Sequence, residues 1–162
     1  MASKQTGKLI ITSCLSVVAY VALYLLLRPS LPAHLARHSG PDGVGYSPLW
    51  LTVLIIGAVA TLSLLIGILV YRDFTSLGHW NPGPKSIVVC FLAAGFGILG
   101  LGMAMITTVL GREAEDLGTL PIGMGLIGLL IVFALSAGLL ARLLPRAIPE
   151  ALNTRDHQSD QR

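Results

Sequence analysis

Residues 49–71 read LWLTVLIIGAVATLSLLIGILVY, a run of 23 residues that contains no Asp, Glu, Lys, Arg or His. A helix rises about 1.5 Å per residue, so this run is long enough to cross the ~30 Å hydrocarbon core of a bilayer. Three further runs, of 19, 24 and 21 residues, also lack charged side chains and lie at residues 9–27, 87–110 and 121–141. The pattern predicts four transmembrane helices.

The composition of the whole chain agrees with this prediction. Of 162 residues, 54% are apolar and 12% are charged, whereas a soluble domain carries roughly 25% charged residues. This argues against a soluble enzyme, a disordered chain and a nucleic-acid-binding module. We predict an all-α, integral membrane four-helix bundle over residues 1–144 and a polar, disordered tail over residues 145–162. The first run is longer than a signal-peptide core and ends at Arg28-Pro29, so we expect it to be retained.

The basic residues are distributed unevenly between the two sides that these spans define. Eight lie on the side of the chain termini and three on the other side. Cytoplasmic segments of membrane proteins are enriched in Lys and Arg, so we predict that both termini are cytoplasmic. The eight are Lys4, Lys8, Arg72, Lys85, Arg142, Arg146, Arg155 and Arg162, and the three are Arg28, Arg37 and Arg112.

Small residues recur within the third and fourth spans at spacings that place them on one helix face. Such residues let helix backbones approach closely. This matters in lipid, where the transfer of apolar side chains from lipid to a helix interface gains little free energy. Two interpretations stay open: a compact bundle formed by the chain alone, or a face for a membrane protein partner or a second copy. The glycines predicted to pack between helices are Gly95, Gly97, Gly100, Gly102 and Gly128.

The remaining polar and aromatic residues of the spans carry little sign of chemistry. Functional sites within membranes usually contain charged side chains, and the four runs contain only hydroxyls. We predict no catalytic residue, no metal site and no cofactor. Cys14 and Cys90 are expected to pack in the apolar interior, with palmitoylation as the alternative. Aromatic residues near span ends are expected to anchor the chain at the membrane interface, and these are Tyr20, Tyr24, Tyr46, Trp50, Tyr71 and Trp80.

The segment between the first two spans is longer than a plain connection. Residues 28–48 read RPSLPAHLARHSGPDGVGYSP. If it is helical, His34 and His38 share one face with Asp42 and could sense a metal ion or protons. If residues 40–43 form a tight turn, the segment is a folded cap on the bundle. A recognition surface for an outside partner is the third interpretation. The candidate binding residues are His34, His38, Asp42, Gly43 and Tyr46.

This segment also resembles a known family. The residues that carry the resemblance are Pro32, Ala36, His38, Gly40-Pro41-Asp42-Gly43 and Tyr46-Ser47. They are similar to the loop in the bacterial membrane domain that opens SdpI-type bacteriocin immunity proteins, although Ser39 stands where that family usually has Trp or Phe. The resemblance covers residues 9–71 at most. It implies a bacterial plasma-membrane protein, and a cytoplasmic factor that docks near Arg72-Asp73 and His79-Trp80.

Two functional hypotheses follow. The first is a small, non-enzymatic bacterial membrane protein that binds a peptide or protein partner at its outer loop, in an immunity-like or sensing-like role. The second is an accessory subunit of a membrane transporter or of a cell-envelope enzyme complex. In both cases the lipid bilayer is the first partner and nucleic acid is not one.

Overall fold

The computed structural model describes residues 2–41, 43–112 and 114–147 of the chain. Within them, four long helices are each long and apolar enough to cross a membrane, which confirms the four predicted helices. The long helices are α1 (Ala2–Leu27), α2 (Leu49–Ser76), α3 (Pro82–Thr108) and α5 (Leu120–Leu143), and the remaining elements are β1 (His34–Gly40), β2 (Gly43–Pro48) and the short α4 (Ala114–Leu117).

All four long helices differ from the predicted spans in at least one bound, and α1 begins at Ala2, seven residues before the predicted start. α2 continues to Ser76, five residues beyond the predicted end. α3 begins at Pro82, although proline and glycine residues such as those at its start usually interrupt a helix. Proline is tolerated in the first helical turn because the N–H groups there have no acceptor within the helix. The length of the apolar run therefore underestimates the length of the helix, because the helix continues into polar sequence.

The segment between α1 and α2 corrects the all-α prediction. A short 3-10 turn at Arg28–Ser30 is followed by β1 and β2, which pair antiparallel as a two-stranded hairpin. Gly40 of β1 pairs with Gly43 of β2, and Gly43 has φ +102°, a conformation that favours glycine. We call this end of the bundle the hairpin end, and the opposite end, where α1 begins and α5 finishes, the terminal end.

Helix α3 lies at the centre of the bundle because its glycines face neighbours on two sides. α2 and α5 both pack against it, and α1 packs against α2 and α3. A Cβ atom added at Gly95 would lie 2.6 Å from Leu64 Cγ of α2. One added at Gly97 would lie 3.1 Å from Phe133 Cβ of α5. Glycine therefore sets the distance between α3 and the helices on both sides.

The closest approach between α3 and α5 joins two glycines. An added Cβ at Gly100 would lie 2.9 Å from the Gly128 carbonyl oxygen, and one at Gly128 would lie 2.7 Å from the Gly100 carbonyl oxygen. The Ala104 Cβ lies equally close to the position of a Gly128 Cβ, at 2.7 Å. Because the obstacles include backbone atoms, rotation of a side chain cannot relieve a clash here.

Tyr20 holds the peripheral helix α1 against this centre. Its side chain is fully buried, and its hydroxyl donates a hydrogen bond to the Val53 carbonyl oxygen of α2, at 3.3 Å. A Cβ at Gly102 would meet the Tyr20 hydroxyl oxygen at 2.7 Å, so this glycine makes room for the ring. The prediction of an interface anchor is therefore wrong for Tyr20. It is also wrong for Tyr71 and Trp80, which are buried.

The terminal end is closed by hydrogen bonds to carbonyl groups at the last residue of α5 and at the two residues that follow it. The last carbonyls of a helix have no partner within it. Here the oxygens of Leu143, Leu144 and Pro145 accept hydrogen bonds from side chains of other segments. The donors are Gln5 Nε2 of α1 at 2.8 Å, Lys85 Nζ of α3 at 3.5 Å and Trp80 Nε1 at 3.0 Å. These bonds bring both ends of the described chain to one end of the bundle.

The two glycine environments on α5 give a matched stability test. Gly128→Ala places a methyl group against backbone and should destabilise the bundle, since overpacking costs about 1–3 kcal/mol. Gly138→Ala on the same helix meets nothing within 4 Å and should leave stability unchanged or slightly raised. Unfolding in mixed micelles with increasing SDS measures both. Equal stability of the two variants would contradict the close approach at Gly128.

Candidate functional site

The hairpin is fixed to the bundle at its base. Leu35 on β1 is only 1% exposed and belongs to the core of the protein. The Leu49 N–H at the start of α2 donates to the Ala33 carbonyl oxygen, at 3.0 Å. Ser47 Oγ and Thr52 Oγ1 are hydrogen-bonded at 2.8 Å, which joins β2 to the first turn of α2. A two-stranded hairpin is marginally stable by itself, so these contacts hold it in place.

The register of the hairpin separates the two candidate histidines. His34 pairs with Pro48 and His38 pairs with Gly45, with an irregularity between Ala36 and His38. Four residues along a strand span about 13 Å, at ~3.3 Å per residue. The hypothesis of a shared helical face for His34 and His38 is therefore wrong. The strand forms because the segment turns back after Gly40 and pairs with β2.

Part of the candidate site falls outside what the structure describes. Asp42 lies outside the described residues, and the side chain of His38 is likewise not described, although its backbone is. Among the described residues, no group of three or more His, Cys, Asp or Glu side chains lies close enough to hold a metal ion. The described part of the site consists of His34, Gly43, Tyr46 and the backbone of both strands.

Three side chains with aromatic rings are exposed on the hairpin and in the first turn of α2. Tyr46 is 38% exposed and pairs with Ala36, a small residue. Trp50, in the first turn of α2, is 58% exposed, and His34 is also exposed. Tyr and Trp combine a large apolar area with a polar group and little conformational freedom, which suits them to binding surfaces. We call Tyr46, Trp50 and His34 the aromatic surface.

The hairpin also offers main-chain groups. A two-stranded sheet has two outer edges, and each edge carries N–H and C=O groups that an extended peptide can pair with. Among the described residues, β1 packs against α2, α4 and α5, whereas β2 packs mainly against α2. The edge of β2 is therefore the less covered of the two.

A polar cleft that sequence reasoning missed lies at the same end of the bundle. Its volume is about 580 Å³. It exists because the Gly111 N–H donates to the Ser30 carbonyl oxygen at 2.9 Å and joins two loops distant in sequence. Of the described residues that line it, Arg112 is cationic and Asp116 is anionic. Arg112 is the lone basic residue between α3 and α5 in the sequence, and this is the signal that could have indicated it.

The glycines predicted to pack between helices are all covered by the chain itself. Gly95, Gly97, Gly100, Gly102 and Gly128 each lie within 3.1 Å, measured from an added Cβ, of an atom in another helix. This face is therefore not available to a partner helix. Ala134 and Gly138 on α5, by contrast, are exposed, and an added Cβ at Gly138 meets nothing within 4 Å.

The two cysteines differ from expectation. Both Cys14 and Cys90 are exposed on the outside of the bundle, so the prediction that they pack in its interior is wrong. For Cys14 the reason is that α1 lies at the periphery, where 11% of an apolar stretch of 18 residues is buried, compared with 44% for α3.

Comparison of the chain with family models, with curated proteins and with solved structures finds no match in any of the three. The function proposed below therefore depends on the residues and geometry of this chain.

Limited proteolysis directly tests whether Leu35 holds the hairpin against the bundle. Leu35→Ala removes the buried side chain beneath β1, and truncating a buried leucine costs about 2–5 kcal/mol. Trypsin should then cleave after Arg37 several-fold faster than in the unaltered protein, with cleavage after Arg112 as the internal reference. Tyr46→Ala is the matched control, because that ring is exposed. Equal cleavage rates for the two variants would contradict a hairpin held by Leu35.

Proposed function

We propose that the chain is a non-enzymatic, multi-pass protein of the bacterial plasma membrane that binds a peptide or protein partner at its hairpin end. The observation that carries the proposal is the exposed Tyr46 ring on a hairpin that Leu35 fixes to the bundle. A pre-formed surface loses little conformational freedom on binding, which favours affinity. The resemblance of the segment to SdpI-type immunity domains adds an immunity-like or sensing-like role to this proposal.

The polar cleft beside Arg112 also lies at the hairpin end, and it supports the proposal that the partner binds there. A peptide that pairs with the edge of β2 presents a backbone with alternating donors and acceptors, and its polar groups suit a cleft that holds Arg112 and Asp116. The aromatic surface would contact the apolar side chains of that peptide. The partner is therefore expected to be extended where it binds and to carry both apolar and polar groups.

The charge distribution supports an orientation with the hairpin outside the cell. The terminal side carries eight basic and four acidic residues, and the hairpin side carries three basic and four acidic residues. The positive side is retained in the cytoplasm during insertion. The hairpin end then faces the outside of the plasma membrane, where a secreted peptide or an envelope protein can reach it.

Cysteine labelling tests this orientation. In a variant with Cys14→Ser and Cys90→Ser, Gly40→Cys adds a single thiol at the hairpin, where nothing lies within 4 Å of an added Cβ. A membrane-impermeant maleimide should label it in intact cells. Gln161→Cys, in the variant that lacks Cys14 and Cys90 and keeps Gly40, should be labelled only after the cells are lysed. The opposite pattern would contradict the proposed orientation.

A second function has one observation in its favour. Ala134 and Gly138 form a small pair on α5 that the described helices leave uncovered, and Leu135 beside them is 69% exposed. Small residues at this spacing allow another helix to approach closely. The alternative is therefore an accessory subunit that packs α5 against a transporter or an envelope enzyme.

Photo-crosslinking in living cells distinguishes the two functions. The photoreactive residue benzoylphenylalanine replaces Tyr46 in one variant, Leu135 in a second and Leu62, which is 58% exposed on α2, in a control. The proposed function predicts a discrete crosslinked product at position 46 and none at positions 135 and 62. A discrete product at position 135 with none at 46 would contradict it and favour the accessory subunit. Mass spectrometry of the product identifies the partner.

A further inference from the structure

A groove between α1 and α2 has the properties of a lipid-binding site. Its volume is about 460 Å³, and most of its lining side chains are apolar, with Thr6, Ser13, Thr61 and Arg72 as the polar ones. On α1 these follow one stripe at Ile10, Cys14 and Val18, four residues apart. On α2 the groove continues along Leu65 and Leu69. It forms because Tyr20 holds α1 to the bundle farther along, toward the hairpin end.

The length of the groove matches one leaflet of a bilayer. Its lining on α2 runs from Thr61 to Arg72, which at about 1.5 Å per residue is ~16 Å. Half of a ~30 Å hydrocarbon core is about the same length. A single acyl chain that begins at the terminal end would therefore fill the groove to its far end.

Arg72 gives the groove a polar mouth. It is the one charged residue that lines the groove within the described part of the chain, and it lies at the terminal end. A guanidinium group binds phosphate oxygens with paired hydrogen bonds, which a lysine ammonium does not match. The mouth therefore suits a phosphate group directly above an acyl chain.

The surrounding charge favours an anionic headgroup. Among the described residues of the terminal end, six are basic and one, Asp73, is acidic. Basic residues near a membrane surface attract anionic lipid. The basic residues are Lys4, Lys8, Arg72, Lys85, Arg142 and Arg146.

We propose that the groove between α1 and α2 binds one anionic phospholipid, with an acyl chain along Cys14 and Leu65 and the phosphate on Arg72. The site lies at the end of the bundle opposite the hairpin. If the experiments contradict lipid binding here, the proposed partner binding at the hairpin still stands. If they contradict partner binding, the proposed lipid site still stands.

The first test measures lipid retention by native mass spectrometry. The full chain is released from nanodiscs that contain equal amounts of phosphatidylcholine and phosphatidylglycerol. The unaltered protein should retain one phosphatidylglycerol per chain, several-fold more often than phosphatidylcholine. Arg72→Gln should abolish this preference and Arg72→Lys should restore part of it. Lys8→Gln is the matched control, because Lys8 lines a different cleft, on the α5 side of α1.

The second test uses the two native cysteines. Cys14 lines the groove and Cys90 does not, although both are exposed. In detergent, added phosphatidylglycerol should slow alkylation of Cys14 several-fold and leave Cys90 unchanged, while phosphatidylcholine should have a smaller effect. Val18→Phe should fill the groove and reduce lipid retention. Leu15→Phe, at a residue that is 63% exposed and outside the groove, should not.

Three outcomes would overturn the proposal. They are equal losses of lipid preference in Arg72→Gln and Lys8→Gln, equal protection of Cys14 and Cys90, and unchanged retention in Val18→Phe. The first would assign the attraction to the basic end as a whole. Helix content measured by circular dichroism checks that each variant is folded.

Discussion

The close approach of α3 to the helices on both sides is the constraint on which the rest of the structure depends. Within lipid, helices gain little from burying apolar side chains, so association relies on van der Waals contact and interhelical hydrogen bonds. The glycine pair Gly100 and Gly128 permits backbone-to-backbone contact between α3 and α5. On the other side, Gly95 admits the Leu64 side chain of α2. These contacts make α3 the most buried helix of the bundle.

The position of the hairpin follows from this centre. α2 is held against α3, and the first turn of α2 is joined to the hairpin through Ser47 and Thr52. Leu35 then reaches the core from β1. The bundle thus presents the exposed Tyr46 at a defined place, whereas a free loop of the same sequence would have to become ordered on binding. The peripheral position of α1, held by Tyr20, leaves the groove at the terminal end.

Much of the helical architecture could be predicted from the sequence because it depends on local composition. Long uncharged runs can satisfy their backbone in lipid only as helices or closed barrels, and small residues at i and i+4 indicate close packing. The sequence does not tell which helix each glycine meets, because that depends on the rotation of α3. It also misled for Tyr20, whose ring is buried beside Gly102 instead of lying at an interface.

The two strands of the hairpin could not be predicted for a different reason, although a tight turn at residues 40–43 is one of the interpretations of the sequence. β1 contains histidines, an arginine and a serine in place of the β-branched and aromatic residues that mark strands. Its pairing depends on a turn and on the burial of Leu35, which are tertiary effects. A helical segment would place His34 and His38 on one face, and the antiparallel register excludes that arrangement. The polar cleft likewise requires the contact between Ser30 and Gly111, which are far apart in sequence.

The central claim is that a closely packed bundle presents a pre-formed hairpin as its binding surface. Hydrogen–deuterium exchange of the unaltered protein in nanodiscs tests it most directly, since amide protection reports local structure. We predict that β1 and β2 exchange slowly, at rates close to those of the neighbouring first turn of α2, while α3 exchanges most slowly of all. Exchange of β1 and β2 at the rate of an unstructured peptide, with the helices protected, would contradict the claim.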